Sequence, residues 1–532
     1  MFSLVHSSIC HLARKISRNS RTNKPMTCPD SEAQVTTERD PASPLDGDTS
    51  VAVLIDTIAT SSANEQQHAL LLLVRKCADN QEREKMYQVN GIHVLSEVVT
   101  NGDTFISQVY ALKCLSWAPT DDDSKLAQSD FDALQDSVRD ATSQELSLLM
   151  GELRHPSEER KEDAAVLCAS IAIRGQKDSL REVGVVSPLV EILRGGTAVQ
   201  KLWAANALGR LASNEENCVV IASEGAISPL IALVGTGTDL QKRHAASALG
   251  ALSNDNTENC VAIAREGGIS PLVALVRTGD DKQKEGAATV LGHISYQNAE
   301  NRVAITREGG IAPLVALLRA GTDGQKQRAT YALGLLALQN DDNRTAIARA
   351  GAIPSLVALL RAGTSQQKEE AAYAVGNLAG KDRIMGFTFE GAVPPLVALL
   401  REGDDTQKHW AVYALRHLAA YTEESCVAIV QADGIPPLVA LLRIGTAKHK
   451  RHVTTALGLL AFNSEQNRVA IAREGAIPLL VTLERTETDK LKDNATFALT
   501  HLAKNEANGA AIAKQRARKR NPTGIRHSRF QM

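Results

Sequence analysis

Tyrosine is scarce in this chain, at seven of 532 residues, yet four of them, Tyr110, Tyr331, Tyr373 and Tyr413, recur at one point of a repeated segment. A phenol with polar neighbours supplies rigid contact area and a hydrogen bond at low entropy cost, which is the chemistry of peptide recognition. Covalent chemistry has poorer candidates. The eight cysteines form no C-x-x-C pair, and Cys218, Cys260 and Cys426 occupy a slot that Arg302, Arg344 and Arg468 fill elsewhere. That pattern reads as free thiols in a reducing compartment, not as a disulfide framework or a metal set. His293, His417 and His501 share another slot but lie two or three repeats apart. At 8–10 Å per packed helix that is roughly 16–30 Å, too far to share a metal ion. No H-E-x-x-H, G-x-S-x-G, P-loop or kinase signature occurs, so neither an enzyme, a cofactor nor a small-molecule substrate is expected.

These residues are positioned by an internal repeat. A segment of the form G-x-I-x-P-L-V-x-L-L begins again at Val186, Ile227, Ile269, Ile311, Ile353, Val393, Ile435 and Ile477, in steps of 40 to 42 residues. A degenerate copy starts at Ile92, and a partial unit from 49 to 78 precedes it. The gap from Ile92 to Val186 is two periods plus about ten residues, a surplus expected in the acidic stretch Asp121, Asp122, Asp123. Each unit reads as three helices. In the first, Asn301 or Asn343 is the expected capping residue and Gly309 or Gly351 the sharp turn that ends it. The second carries Pro313 in its first turn, where a missing N–H costs nothing. In the third, Ala371, Val375, Leu378 and Ala379 share one apolar face. No unit buries that face alone, so neighbours must stack into one continuous core.

The stretch GAIPSLVALLRAGTSQQKEEAAYAVGNLAG and its siblings closely resemble the armadillo repeat, strongly over 175–513 and weakly over 49–174. Eleven units are counted. The resemblance implies an all-α, right-handed superhelical solenoid whose third helices line a long concave groove. At 8–10 Å per unit it would be a rod of about 100 Å. At 100° per residue, positions three and four before and four after Tyr373 share its face, opposite the Ala and Leu positions. That stripe supplies the candidate partner contacts: Tyr331, Tyr373 and Tyr413; Asn377 and His417 four residues on; Trp203, Arg243 and Trp410 just before; and Phe497 in the slot of the last unit. The nuclear-import adaptors of the family rely on a Trp in the reference slot and an Asn four residues later. This chain has no Trp there and such an Asn only at Asn377. It looks more like the vacuolar and junctional scaffolds. A non-enzymatic scaffold binding extended partner segments is therefore expected, with an adaptor for basic cargo peptides as the alternative.

Composition sets the remaining limits. With 43% apolar residues the chain folds over most of its length, and no run of about 18 apolar residues suggests a membrane span. Net charge is −2, but residues 1–29 carry a local +5 and 507–532 a local +7, leaving −14 on the body. An acidic body disfavours nucleic acid as a partner and favours basic segments. The expected organisation is a basic amphipathic segment and linker over 1–48, degenerate repeats with an acidic insertion over 49–174, regular repeats over 175–513 and a basic disordered tail over 514–532. The first segment reads as a mitochondrial presequence, a membrane-surface helix or a plain extension, and it is the one place where membrane contact is expected. The tail cluster KQRARKR, 514–520, reads as nuclear-localisation-type, as a solvated tail or as an occupant of the chain's own groove. The expected compartment is the cytoplasm, with nucleus or mitochondrion as the alternatives those termini leave open.

Overall fold

The computed structural model describes residues 45–518 apart from 78, 117–125, 297, 381–389, 422 and 487–488. Expectations for the N-terminal stripe, the acidic triplet and the end of the tail lie outside the described residues. Residues Met1–Thr49 separate as a unit from Ser50–Met532. Of the first unit, 45–49 form a turn closed by the Thr49 N–H on the Asp46 carbonyl at 3.2 Å.

All regular structure among the described residues is helical, and it follows the three-helix period. Unit seven is typical: Ala299–Arg307, Ile311–Ala320 and Asp323–Leu336. The first two helices of a unit meet sharply, at 86° for Thr257–Arg265 and Ile269–Thr278. That bend needs a left-handed residue, supplied by Gly267 (φ 81°), Gly309 (φ 75°) and Gly351 (φ 82°), and in unit ten by Asp433 (φ 56°). Third helices pack on the third helices of the next units, and second helices pack beneath them. Leu314 and Leu356, both fully buried, sit in that inter-unit core. No single described helix is long and apolar enough to cross a membrane.

The polar groups that fix the period differ from the expected ones. Asn301 and Asn343 are not caps. The caps stand three residues earlier, at Asn298 and Asn340, whose side chains accept from the backbone N–H of Asn301 and Asn343. Asn301 and Asn343 are themselves buried and donate to the carbonyls of Ile294 (2.8 Å) and Leu336 (2.9 Å) at the end of the preceding third helix. Each ties one unit's third helix to the first helix of the next. Replacing Asn343 by Ala should cost about 1–3 kcal/mol, because a buried carbonyl loses its donor. A urea melt with an unchanged midpoint would show that this tie is dispensable.

The next position explains the Cys/Arg alternation. Cys260 Sγ donates to the Ser253 carbonyl at 3.2 Å, whereas Arg302 and Arg468 donate to Ser295 and Ala461 at 3.0 and 2.8 Å. Either side chain satisfies a helix-end carbonyl that would otherwise be orphaned. A second clamp spans neighbouring third helices. Thr322 and Gln325 form a reciprocal capping box, and the Gln325 amide also donates to the Asp281 carbonyl of the preceding unit at 3.0 Å. Gln241, Gln283 and Gln367 repeat this, and His449 substitutes for glutamine in unit ten through Asp405.

The stretch expected to hold the surplus, Asp121, Asp122 and Asp123, lies outside the described residues, between the helices Phe105–Leu115 and Gln128–Ser137. One further correction concerns the C-terminal end. The tail does not begin at 514: a last helix, Glu506–Arg518, carries Lys514 and Arg516 and caps the stack, with Ile512 buried. Arg516 is held there by Glu484, with Nε to Oε2 at 2.9 Å.

Candidate peptide-binding face

The tyrosine slot faces outward only from unit five onward. Leu72, Tyr110, Val166 and Asn206, the same slot in the first four units, are all buried. Lys113 of the second unit reaches past the third to Asn206 Oδ1 in the fourth, at 3.3 Å, and lies over the Trp203 ring. The stripe is closed there. Trp203, 1% exposed, is therefore a core residue and not a partner contact. Arg243 is half-buried and paired with Asp280 at 3.0 Å.

From unit seven the slot becomes aromatic, and each ring lies against a glycine of the preceding third helix. A Cβ on Gly292 would stand 2.9 Å from Tyr331 Cδ1, on Gly334 3.2 Å from Tyr373 Cδ1, on Gly376 2.6 Å from Tyr413 Cδ1, and on Gly458 2.6 Å from Phe497 Cδ1. The three tyrosine rings are thus half-buried against backbone, while Phe497 is more exposed. In unit ten the slot is Thr455 and the facing residue is Arg416 rather than glycine. Asn377 is a strut: 3% exposed, it donates to the Gly334 carbonyl at 3.0 Å and accepts from the Tyr413 hydroxyl at 2.6 Å. It positions Tyr413 and is not itself free to meet a partner.

Three third helices, Ser365–Leu378, Asp405–Tyr421 and Ala447–Asn463, join their rings into one run. Trp410 meets Tyr373 edge-on at 4.8 Å and Tyr413 at 5.5 Å; Tyr373 and Tyr413 stack at 6.3 Å. His417 and His452 lie 4.5 and 5.6 Å from the Tyr413 ring, and His409 lies 5.3 Å from His452. Phe497 stands apart with His501 at 4.5 Å and is among the more exposed large apolar side chains. The described residues hold no group of three metal-ligating side chains.

Trp410 walls two open clefts. One, of about 490 Å³, is lined by Tyr331, Tyr373, Asp255, Glu369 and Glu370. Burial pushes the Glu370 carboxyl up to about 7, against the pull of Arg328, and the Tyr331 phenol up to about 12. The other cleft is lined by His409, His449, His452, Lys448 and Arg451. Burial, reinforced by Arg416, holds His417 down at about 4 and His452 at about 3. Both imidazoles are neutral at pH 7. The face combines large aromatic edges, hydrogen-bonding groups and two signs of charge, which suits recognition of an extended chain.

The fold and face define an all-α solenoid of stacked three-helix units. Residues 256–296 and 340–380 match the family model described as the Armadillo/beta-catenin-like repeat. Those two stretches are armadillo-type repeats, and the three-helix period around them is the same. The chain is similar to the crystal structure of an engineered protein, with a TM-score of 0.58 at 23% identity, covering 86% of this chain and 99% of the other. A designed armadillo repeat protein aligns over 44% of this chain and 99% of its own, with a TM-score of 0.42 at 25% identity. No curated protein matches the sequence.

Proposed function

We propose that the chain is a non-enzymatic scaffold that holds extended segments of partner proteins against the face made by its third helices. The observation that carries this reading is the run Tyr373, Trp410, Tyr413, half-exposed and braced from behind by Gly334, Gly376 and Asn377. Bracing matters because rings already fixed lose little entropy when a partner docks. The alternative of an adaptor for basic cargo is not favoured. Its Asn ladder is reduced to Asn377, which is committed to Tyr413, and Arg416, Arg451 and Lys448 would repel successive lysines at one end of the face.

The test is a substitution that removes the shared wall. Partners captured on the full chain should lose at least about tenfold in affinity, or 1.4 kcal/mol, for Trp410→Ala. Val303→Ala, on the first helix of unit seven with an exposed side chain, should bind as the unaltered chain does. Equal binding by both variants would remove the basis for placing partners on this face.

A further inference from the structure

The two clefts on either side of Trp410 differ in charge. On the unit nine and ten side the cleft is lined by Lys448, Arg451, His409, His449 and His452, with Asp405 as a lining carboxylate. Arg416, on the same helix as His409, lies over the Tyr413 ring, its guanidinium 5.6 Å from the centroid. Its Nε is buried with no hydrogen-bond partner, and its Nη2 meets the His417 ring. Among the described residues neither Arg416, Arg451 nor Lys448 is paired with a carboxylate. His409 and His452 point the same way: the Nδ1 of each is buried and unpartnered. Lys448 and Arg451, free of ion pairs and outnumbering the lining carboxylate of Asp405, beside ring nitrogens left without partners and an aromatic wall, make a seat for an oxyanion. On the unit six to eight side, Asp255, Glu369 and Glu370 line a cleft walled by Tyr331, Tyr373 and Trp410, where Arg328 opposes Glu370 and His293 stands near Asp255. Carboxylates beside ring faces are the chemistry of a seat for a cation.

We infer that the face reads charge order: it takes a partner segment that carries a Lys or Arg on one side of Trp410 and a carboxylate or phosphate side chain on the other. This rests on the scaffold reading and deepens it. The two seats stand on third helices one to two units apart, about 10–20 Å at the usual helix spacing. An extended chain covers that distance in about three to six residues. A uniformly basic segment would satisfy the acidic cleft and meet Arg416 and Arg451 beyond it. A uniformly acidic one would meet the reverse. Only a segment whose sign changes across Trp410 is matched along its whole length.

The experiment is selection of randomised twelve-residue peptides, displayed on phage, against the full chain. Enriched peptides should carry a basic and an acidic residue three to six apart in one fixed order, about tenfold over the reversed order. Selection on Arg416→Met should lose the acidic preference and keep the basic one, and selection on E369Q/E370Q should do the opposite. Melting curves of the variants verify that they are folded. Enrichment without charge order, or preferences that neither variant alters, would overturn the inference while leaving the scaffold reading intact. No enrichment relative to the Trp410→Ala chain would overturn both. Synthetic peptides with glutamate or phosphoserine at the acidic position separate the two oxyanion sources. About tenfold tighter binding of the phosphoserine peptide assigns a phosphate, equal binding assigns a carboxylate, and loss of binding by both forms overturns the seat.

Discussion

Replacing Leu356 by Ala is expected to lower stability by about 2–5 kcal/mol, the range for deleting a buried leucine side chain and leaving a cavity. Leu356 lies on the second helix of unit eight, Ala352–Ala362, and is fully buried. That helix packs on its own third helix and on the second helices before and after it. The cavity therefore opens at a junction between units, which are held to one another by nearest-neighbour contacts. A urea titration followed by circular dichroism should show the midpoint falling. Hydrogen exchange should rise first in units seven to nine. A midpoint that does not move would mean that the apolar face of the second helix has been misplaced.

Acid lability is the second large effect. His417 and His452 are held at about 4 and about 3, and His244 at about 3, by burial together with Arg416 for the first two and Lys113 for the third. The unfolded chain protonates these rings near pH 6.5, the folded chain only near 3 to 4. The unfolded state thus binds more protons in that window, so stability is complete above about 6.5 and falls as the pH drops towards 4. At pH 5 each histidine would cost about 2 kcal/mol by linkage. Partial exposure of His417 and His452 roughly halves their share. Glu370 works in the opposite direction. Its carboxyl is raised to about 7, so the folded state takes its proton first and regains about 2 kcal/mol over the same range. The net expectation is a loss of about 2 kcal/mol between pH 7 and pH 5. Charged groups around His452 are Arg416, Arg451, His409 and His417, and those around Glu370 are Arg328 and Glu369. Thermal melts at the two pH values check the sign, and His452→Asn should flatten the slope. A chain that gains stability on acidification would contradict the histidine environments described here.

The architecture was legible because a period of 40 to 42 residues leaves few solutions: a proline such as Pro313 marks the second helix's first turn in each regular copy, and a glycine such as Gly309 marks the turn before it in most of them. The polar ties were less so. An asparagine at the start of a helix is usually a cap, and only the backbone reveals that Asn298 caps while Asn301 reaches back to Ile294. The stripe was read from Tyr373 and extended to every unit, which failed at Trp203. Sequence spacing cannot register that Lys113 folds over the fourth unit. One signal that would have sorted real from nominal slots was present. Tyr331, Tyr373, Tyr413 and Phe497 are each matched by a glycine three residues past the slot of the preceding unit, as are Ser247 and Thr289 in the outward slots of units five and six, and Thr455 is not. A ring that lies flat on its neighbour needs that missing Cβ.

The most direct measurement is a hydroxyl-radical footprint of the full chain with and without a bound partner segment. The account predicts protection of Tyr373, Trp410 and Tyr413, with His417 and His452 beside them, and no change at Val219, Val261, Val303 and Val427, which stand exposed on the first helices. Protection confined to that valine row, with the aromatic run as reactive as in the free chain, would contradict it.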